Sequence, residues 1–246
     1  MNEPAVSTEP RRDRLRRPLP TLLFLCLTLG LVGSALAGDV SGRITVAPGY
    51  RPTAPADDDA PRDHTWEEWN GVLPVLAVRF RPERELLAVL TGPGSAAPTG
   101  CSFRLKNGGL SPSTLAAKAG QDLDIQNLDG CSHELFVEGI SEFSPLTTAP
   151  QGGRSVRMPS QAGTHLIQDA LYPHVQGHLH IVSDLVACGQ VQPGGAYRFT
   201  DVAPGDYTLR IFHGSEELAQ QPVTVEAGSR ASATTVPAIT FPRSTN

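Results

Sequence analysis

The chain has 246 residues, of which 39% are hydrophobic, and its 20 basic and 25 acidic residues give a net charge of −5. This balance excludes the basic surface that is typical of nucleic-acid-binding proteins. Glycine and proline are abundant, with 24 and 22 residues, and short alternating apolar runs take the place of long helical periodicity. This pattern favours an all-β protein, a sandwich or a barrel.

The first 37 residues are organised like a signal peptide. The basic stretch 11–17 precedes an apolar run from Leu19 to Val32, and small residues ending at Ala37 follow. This order of basic region, apolar region and A-x-A site predicts export with cleavage after Ala37. The alternative is an inner-membrane anchor through residues 19–37, although a membrane span needs about 20 apolar residues and this run is shorter. We expect a periplasmic or secreted protein in the first case and an anchored one in the second.

The mature chain, residues 38–246, keeps 15 basic and 22 acidic residues, for a net charge of −7, and three cysteines. An exported protein permits a disulfide, and an odd cysteine count leaves one thiol over. Cys101 and Cys131 stand at strand ends that flank the same central segment, while Cys188 lies further on. We therefore predict a Cys101–Cys131 disulfide.

The N-terminal part of the mature chain contains two predicted strands. The first alternates apolar and polar residues over Val40–Val46, and the second is Val75–Phe80. Between them, Pro52–Asn70 is too polar to fill a core and is predicted to be a solvent loop. Residues Gly92–Gly100 form a linker of small residues and a natural boundary.

Short strands continue to the C-terminus. In the middle block they are predicted at Ser102–Lys106, Leu115–Lys118, Asp122–Asn127, Glu134–Glu138, Gly153–Met158 and Gly177–Val182. In the last block they are predicted at Tyr197–Phe199, Tyr207–Phe212, Gln221–Val225 and Ala231–Val236. Residues 241–246 are expected to be a loose tail.

The middle block contains an ordered series of motifs. Asn127-Leu128-Asp129 precedes His133, and the segment Asp169–Val175 precedes the strand Gly177–Val182. This series resembles the cupredoxin family over residues 101–182, in particular the cupredoxin-like proteins of the methylamine-utilisation type. In those relatives a strand ending in N-x-D precedes the first ligand histidine. A later C-x-x-H-x-x-M stretch supplies the other three copper ligands.

The resemblance implies that most copper ligands are lost. His133 stands at the first ligand position, but Asp169, Tyr172 and Val175 occupy the places of the cysteine, the histidine and the methionine. A blue-copper centre needs a thiolate, two imidazoles and a weak axial ligand. We therefore expect no cofactor. The alternative is a different site for copper or zinc, in which His133 and Asp169 are joined by the nearby His174.

Three further histidines form a second candidate cluster. His178 and His180 alternate with Leu179 and Ile181, which should face the core, so both imidazoles are predicted on the outer face of the strand. They can chelate a metal only if a neighbouring strand adds a ligand such as His213. The alternative is a histidine pair on the surface or between domains.

The segment Gly195–Ile211 has the pattern G-x-[YF]-x-F-x-x-V-x-P-G-x-Y-x-L. It resembles the carboxypeptidase regulatory-like (transthyretin-like) β-sandwich. Pro204-Gly205 is expected to form a tight turn between two strands. The side chains expected to fill one core face are Tyr197, Phe199, Tyr207, Leu209 and Ile211.

Gly38–Ile44 and Leu76–Phe80 look like the first half of that sandwich. We therefore predict a discontinuous regulatory-like sandwich over residues 38–99 and 183–240, with a cupredoxin-like domain, residues 100–182, inserted in it. The alternative is two sequential domains.

No hydrolase or nucleotide-binding motif is present, so we expect no enzyme. The predicted function is a cell-envelope module that binds an unknown protein or glycan, with a metal-binding or electron-transfer protein as the alternative. The fold alone does not establish either function.

Overall fold

The structure is a computed structural model that describes residues 37–46, 80–94, 96–226, 233–235 and 239–241. Residues 1–36 of the signal segment, the insert 52–70, most of the predicted strand Val75–Phe80, residues 231, 232 and 236 of the last predicted strand and residues 242–246 of the tail lie outside this range. Phe80 itself is described and belongs to no strand. The described helices are α1 (Pro82–Glu85) and a 3-10 turn at Ser141–Phe143. Among the described residues, no helix is long and apolar enough to cross a membrane.

The rest of the regular structure is β, which confirms the predicted fold class. The strands are β1 (Gly38–Val46), β2 (Leu86–Thr91), β3 (Ser102–Leu105), β4 (Leu110–Ser111), β5 (Thr114–Lys118), β6 (Asp122–Asn127), β7 (Leu135–Val137), β8 (Gly153–Arg157), β9 (Gly163–Asp169), β10 (Gln176–Val182), β11 (Leu185–Gln190), β12 (Ala196–Val202), β13 (Gly205–His213), β14 (Glu216–Val225), β15 (Ala233–Thr235) and β16 (Ile239–Phe241). All predicted strands within the described range are present. Phe241, expected in the tail, ends β16 instead.

Strands β3 to β10 form two sheets, which we call the middle sandwich. One sheet has the order β5-β10-β9-β7 and the other β4-β3-β6-β8. Strand β10 is parallel to β5, and β3 is parallel to β6, while the other pairs are antiparallel. Strand β6 alternates exposed and buried residues, so one face is in the core and the other in solvent. Leu179 and Ile181 face the core, as predicted.

The remaining strands form two further sheets, which we call the outer sandwich. One has the order β11-β2-β13-β14, and the other β12-β1-β15 with β16 also paired to β1. The chain thus leaves the outer sandwich after β2 and returns to it at β11. Strands β12 and β13 belong to different sheets, so Pro204-Gly205 carries the chain from one sheet to the other. The structure confirms that the five residues predicted to share a core face lie in one core. They are Tyr197, Phe199, Tyr207, Leu209 and Ile211.

Strand β2 is buried on both faces. Leu86, Ala88 and Leu90 lie in the core of the outer sandwich. Leu87 and Val89, which point the other way, lie in the core of the middle sandwich. Sequence analysis did not predict this strand, because a strand buried on both faces is a continuous apolar run without alternation.

The disulfide joins Cys101 to Cys188, so the predicted Cys101–Cys131 pair is wrong. The linker before Cys101 runs beside β11: Thr99 forms a parallel bridge with Ala187, and the Cys188 amide donates to the Thr99 carbonyl at 2.8 Å. This pairing brings the Cα atoms of Cys101 and Cys188 to 4.9 Å. Cys131 is a free, half-buried thiol.

Removing this disulfide is expected to destabilise the protein. The bond closes a loop of 87 residues, which in the chain-entropy account is worth about 4.6 kcal/mol. A Cys101→Ser/Cys188→Ala variant should lose roughly this amount of free energy of unfolding in urea titrations. The control Cys131→Ser should lose less than about 1 kcal/mol. Equal losses in the two variants would contradict the assignment.

Candidate functional site

Two loops meet at one end of the middle sandwich, which we call the pole. The loop between β6 and β7 carries His133, and the loop between β9 and β10 follows Asp169, the last residue of β9. Backbone hydrogen bonds in both directions tie His133 to Thr148, at 3.1 and 2.7 Å. His133 and Asp169 are 1% and 2% exposed, so the fold buries two polar side chains that need partners here.

Asn127 holds the first loop in place. It is the last residue of β6 and is fully buried. Its side-chain amide donates to the carbonyls of Cys131, Thr148 and Ala149 at 2.9 to 3.1 Å. Its amide oxygen accepts from the Asp129 backbone N–H at 2.9 Å. The N-x-D motif therefore positions the loop that carries His133.

His133 and Asp169 form a buried pair. His133 Nδ1 lies 2.6 Å from Asp169 Oδ2. Asp169 Oδ1 accepts the backbone N–H groups of Glu134, Leu171 and Tyr172 at 3.2, 2.9 and 3.3 Å. A carboxylate with this set of donors acts as an acceptor, so Nδ1 of His133 carries the proton that the pair shares. The second ring nitrogen, Nε2, remains available on the opposite side.

Nε2 of His133 faces two polar side chains, and the ring of Tyr172 packs on the imidazole. Cys131 Sγ lies 3.6 Å away, and Asp129 Oδ2 lies 3.3 Å away. The ring of Tyr172 is 5.2 Å from the imidazole, between centroids. A hydrogen bond from its hydroxyl to Cys131, followed by the charge of that group, raises the pKa of Tyr172. The phenol therefore stays protonated beside Cys131.

The structure brings together His133, Asp169 and Tyr172 from the predicted site. His174 is exposed at the rim, with its ring 6.1 Å from that of Tyr172. Val175 is buried in the core and offers no donor atom. Sequence analysis missed Cys131, because it assigned this residue to the disulfide. The signals for it were the odd cysteine count and the C-x-H spacing to His133.

The pole does not fit a type 1 copper centre. Nδ1 of His133 is hydrogen-bonded to Asp169 rather than free, and the positions of Tyr172 and Val175 supply neither an imidazole nor a thioether. Throughout the part of the chain that the structure describes, no group of three or more His, Cys, Asp or Glu side chains is arranged to hold a metal ion.

The second histidine cluster lies where the two sandwiches meet. His180 is 4% exposed, because the face of β10 opposite Leu179 and Ile181, on which it was predicted, is covered by the other sandwich, which agrees with the alternative of histidines between domains. Its ring stacks on Phe212 of β13 at 4.1 Å, and Nε2 donates to the Gly214 carbonyl at 2.8 Å. Nδ1 then accepts from the Thr164 hydroxyl at 3.0 Å. Both ring nitrogens have protein partners, so this ring is not a metal ligand in this arrangement.

The other two histidines of the cluster also contact the protein around them. His213 Nε2 lies 3.2 Å from Glu85 Oε2, and its ring edge packs on Phe80 at 5.5 Å. Burial lowers the pKa of His178, and the nearby charge of His213 makes a smaller contribution in the same direction. The three rings therefore belong to the contact between β10 and the end of β13.

Truncating the buried carboxylate should destabilise the fold. Asp169→Ala leaves His133 and three backbone N–H groups without their acceptor, which should reduce the free energy of unfolding by about 3 kcal/mol. Asp169→Asn keeps the shape and an acceptor oxygen, so it should cost only about 1 kcal/mol. Urea denaturation at neutral pH measures both values. A negligible effect of the alanine variant would contradict the buried pair.

Protonation of His180 should destabilise the protein at low pH. Burial lowers the pKa of His180 below its ordinary value of 6.5, so the unfolded chain takes up this proton at a higher pH than the folded chain. The contribution of the neutral imidazole to the free energy of unfolding is therefore fully present above pH 6.5. It is lost as the pH falls below 6.5, at up to about 1.4 kcal/mol per pH unit. His180→Gln should flatten this pH dependence, whereas the control His165→Gln should retain it. Chemical denaturation across this range provides the measurement.

No protein-family model and no curated protein sequence matches the chain. Several solved structures are similar to part of it. A copper-containing nitrite reductase from Thermus scotoductus is 14% identical with a TM-score of 0.30, over 38% of this chain and 25% of that one. A reduced Cu(I) form of an amicyanin variant is 15% identical with a TM-score of 0.31, over 39% of this chain and 98% of that one. A purple cupredoxin from Nitrosopumilus maritimus is 14% identical with a TM-score of 0.30, over 33% of this chain and 99% of that one. The chain thus spans about a quarter of the nitrite reductase. These likenesses concern the fold alone and carry no argument about function.

Proposed function

We propose that the chain is an exported, non-enzymatic cell-envelope protein whose cupredoxin-like domain acts without copper as a binding module. The observation that carries this proposal is the His133–Asp169 pair. A 2.6 Å hydrogen bond occupies one imidazole nitrogen, and the carboxylate that stands in the cysteine position is saturated with backbone donors. The side chains of this pole stabilise the protein by bonding to one another, which leaves no ligand set for electron transfer through type 1 copper.

Two features support export to the periplasm or beyond. Residues 1–37 have the organisation of a secretory signal, with membrane anchoring through residues 19–37 as the alternative. The Cys101–Cys188 disulfide is of the kind that persists in oxidising compartments and is rare in the cytosol.

The outer sandwich is the proposed carboxypeptidase regulatory-like part, formed by residues 38–99 and 183–240. Its support is the Gly195–Ile211 motif, whose aromatic and aliphatic residues lie in one core. Pairing of β1 with β12, and of β2 with β11 and β13, supports a discontinuous domain with residues 100–182 inserted in it.

The pole is the proposed contact region for a protein or glycan partner. Large hydrophobic side chains exposed among the described residues include Leu146 and Leu171, at 61% and 46%. Leu146 lies two residues before Thr148, the backbone partner of His133, and Leu171 lies two residues after Asp169. The segment between β7 and β8 and the loop between β9 and β10 therefore present apolar surface beside the site, as interaction surfaces commonly do.

A metal assay on the purified mature protein tests the proposal. After incubation with Cu²⁺ or Zn²⁺ and desalting, the wild type should retain only substoichiometric metal and show no visible thiolate-to-copper absorption, because the ligand set is missing. The matched control rebuilds it with Asp169→Cys, Tyr172→His and Val175→Met, and this variant should take up copper and become coloured. Stoichiometric metal in the wild type that is lost in His133→Ala would establish the metal-binding alternative.

A further inference from the structure

Cys131 stands out among the cysteines that the structure describes, since Cys101 and Cys188 are paired with each other. A thiol left over in an exported protein calls for intermolecular pairing or a reactive role. Cys131 is half-buried at the pole, where its sulfur contacts the imidazole of His133 and influences the pKa of Tyr172. Its surroundings are therefore polar rather than those of a cysteine that fills a core.

The three side chains Cys131, His133 and Asp169 are arranged as a nucleophile, a base and a group that orients the base. Cys131 Sγ is 3.6 Å from His133 Nε2, and Asp169 Oδ2 is 2.6 Å from Nδ1 on the other side of the ring. Because Nδ1 carries a proton toward Asp169, Nε2 can accept the proton of the thiol. This is the geometry by which an imidazole activates a cysteine nucleophile.

The surrounding groups stabilise the products of that proton transfer. The imidazolium would lie between Asp169 and Asp129, whose carboxylates are 2.6 and 3.3 Å from its two nitrogens. Asp129 is fixed by the backbone N–H groups of Asn107 and Gly108. The interaction with Cys131 raises the pKa of Tyr172, so its phenol stays neutral beside the thiolate. Among the titratable side chains of the described pole, His133 contacts the thiol, Asp129 and Asp169 contact the two nitrogens of His133, and the Tyr172 ring packs on this imidazole at 5.2 Å.

We propose that Cys131 is an activated thiol that forms a mixed disulfide with low-molecular-weight disulfides, with His133 as its base and Asp169 as a positioning residue. The proton of the thiol passes to His133 Nε2, and the sulfur attacks one sulfur of the disulfide. One S–S bond breaks while a new one joins Cys131 to half of the reagent. The other half leaves as a thiolate that takes the proton, so no further oxidant is needed.

Size and charge select the reagent. Cys131 is half-buried beside Tyr172, so a small disulfide reaches it more readily than a disulfide inside a folded protein. The carboxylates of Asp129 and Asp169 lie 3.3 and 2.6 Å from the two nitrogens of the imidazole beside the thiol, so a neutral or cationic reagent is favoured over an anionic one.

The test follows the reaction of the purified chain, with its Cys101–Cys188 bond intact, with neutral 4,4′-dithiodipyridine. The release of thiopyridone reports the rate, and peptide mass analysis reports the position. The wild type should be labelled at Cys131, and Cys131→Ser should not react. His133→Asn should slow the reaction about tenfold or more near pH 6, since an ordinary thiol is protonated there. Asp169→Asn should slow it in the same pH range, and the control His165→Asn, on the same strand as Asp169, should leave it unchanged.

A second variant keeps the test independent of folding at the buried histidine. Tyr172→Phe removes the hydroxyl beside Cys131 without burying a charge, and it should slow the reaction about threefold because a polar group near the thiolate is lost. Each rate is divided by the rate of the same variant in urea, and near-ultraviolet circular dichroism checks the fold.

Three outcomes would overturn the proposal. The first is a wild-type rate near pH 6 no faster than that of the unfolded chain. The second is an unchanged pH profile in both His133→Asn and Tyr172→Phe. The third is protection of Cys131 by equimolar Zn²⁺, which would assign the thiol to a metal site instead. The first two outcomes leave the metal assay of the preceding proposal unaffected, so they distinguish the failure of this proposal from the failure of the metal-free function.

Discussion

The structure depends on the burial of β2 between two hydrophobic cores. Leu86, Ala88 and Leu90 fill one core, and Leu87 and Val89 fill the other. Burial of each large apolar side chain is worth about 1.5–3 kcal/mol, so this one strand stabilises both sandwiches. It pairs with β11 on one side and β13 on the other. The Cys101–Cys188 bond joins the linker before β3 to β11, so a covalent connection reinforces the same region.

This scaffold positions the loops of the pole, and buried polar groups then organise them. Asn127 binds three carbonyls of the adjacent segments, and Asp169 binds His133 and three backbone N–H groups. Hydrogen bonds between protein groups therefore hold this site together. In the family that the domain resembles, bonds to a metal ion hold the corresponding site. The same bond that occupies Nδ1 of His133 directs Nε2 toward Cys131, so the proposed loss of copper and the proposed thiol chemistry have one structural cause.

The contact between the sandwiches is also partly polar. His180 is buried against Phe212 with both nitrogens hydrogen-bonded, and burial lowers its pKa. A neutral imidazole satisfies one donor and one acceptor, whereas an imidazolium would leave the Thr164 hydroxyl without its acceptor. Acidification is therefore expected to act on the contact between β10 and β13 before it affects the apolar cores.

The sequence by itself determined the all-β class and most of the strands, because alternation along β1, β6, β10 and β13 records which side chains face a core. The order and spacing of the motifs also indicated that His133, Asp169 and Tyr172 belong together. Only the tertiary structure decided the burial of β2 on both faces, the Cys101–Cys188 pair, the burial of His180 and the contact of Cys131 with His133. The physical reason is that these features depend on which distant segments lie side by side, as Thr99 and Ala187 do, and local periodicity does not contain that information.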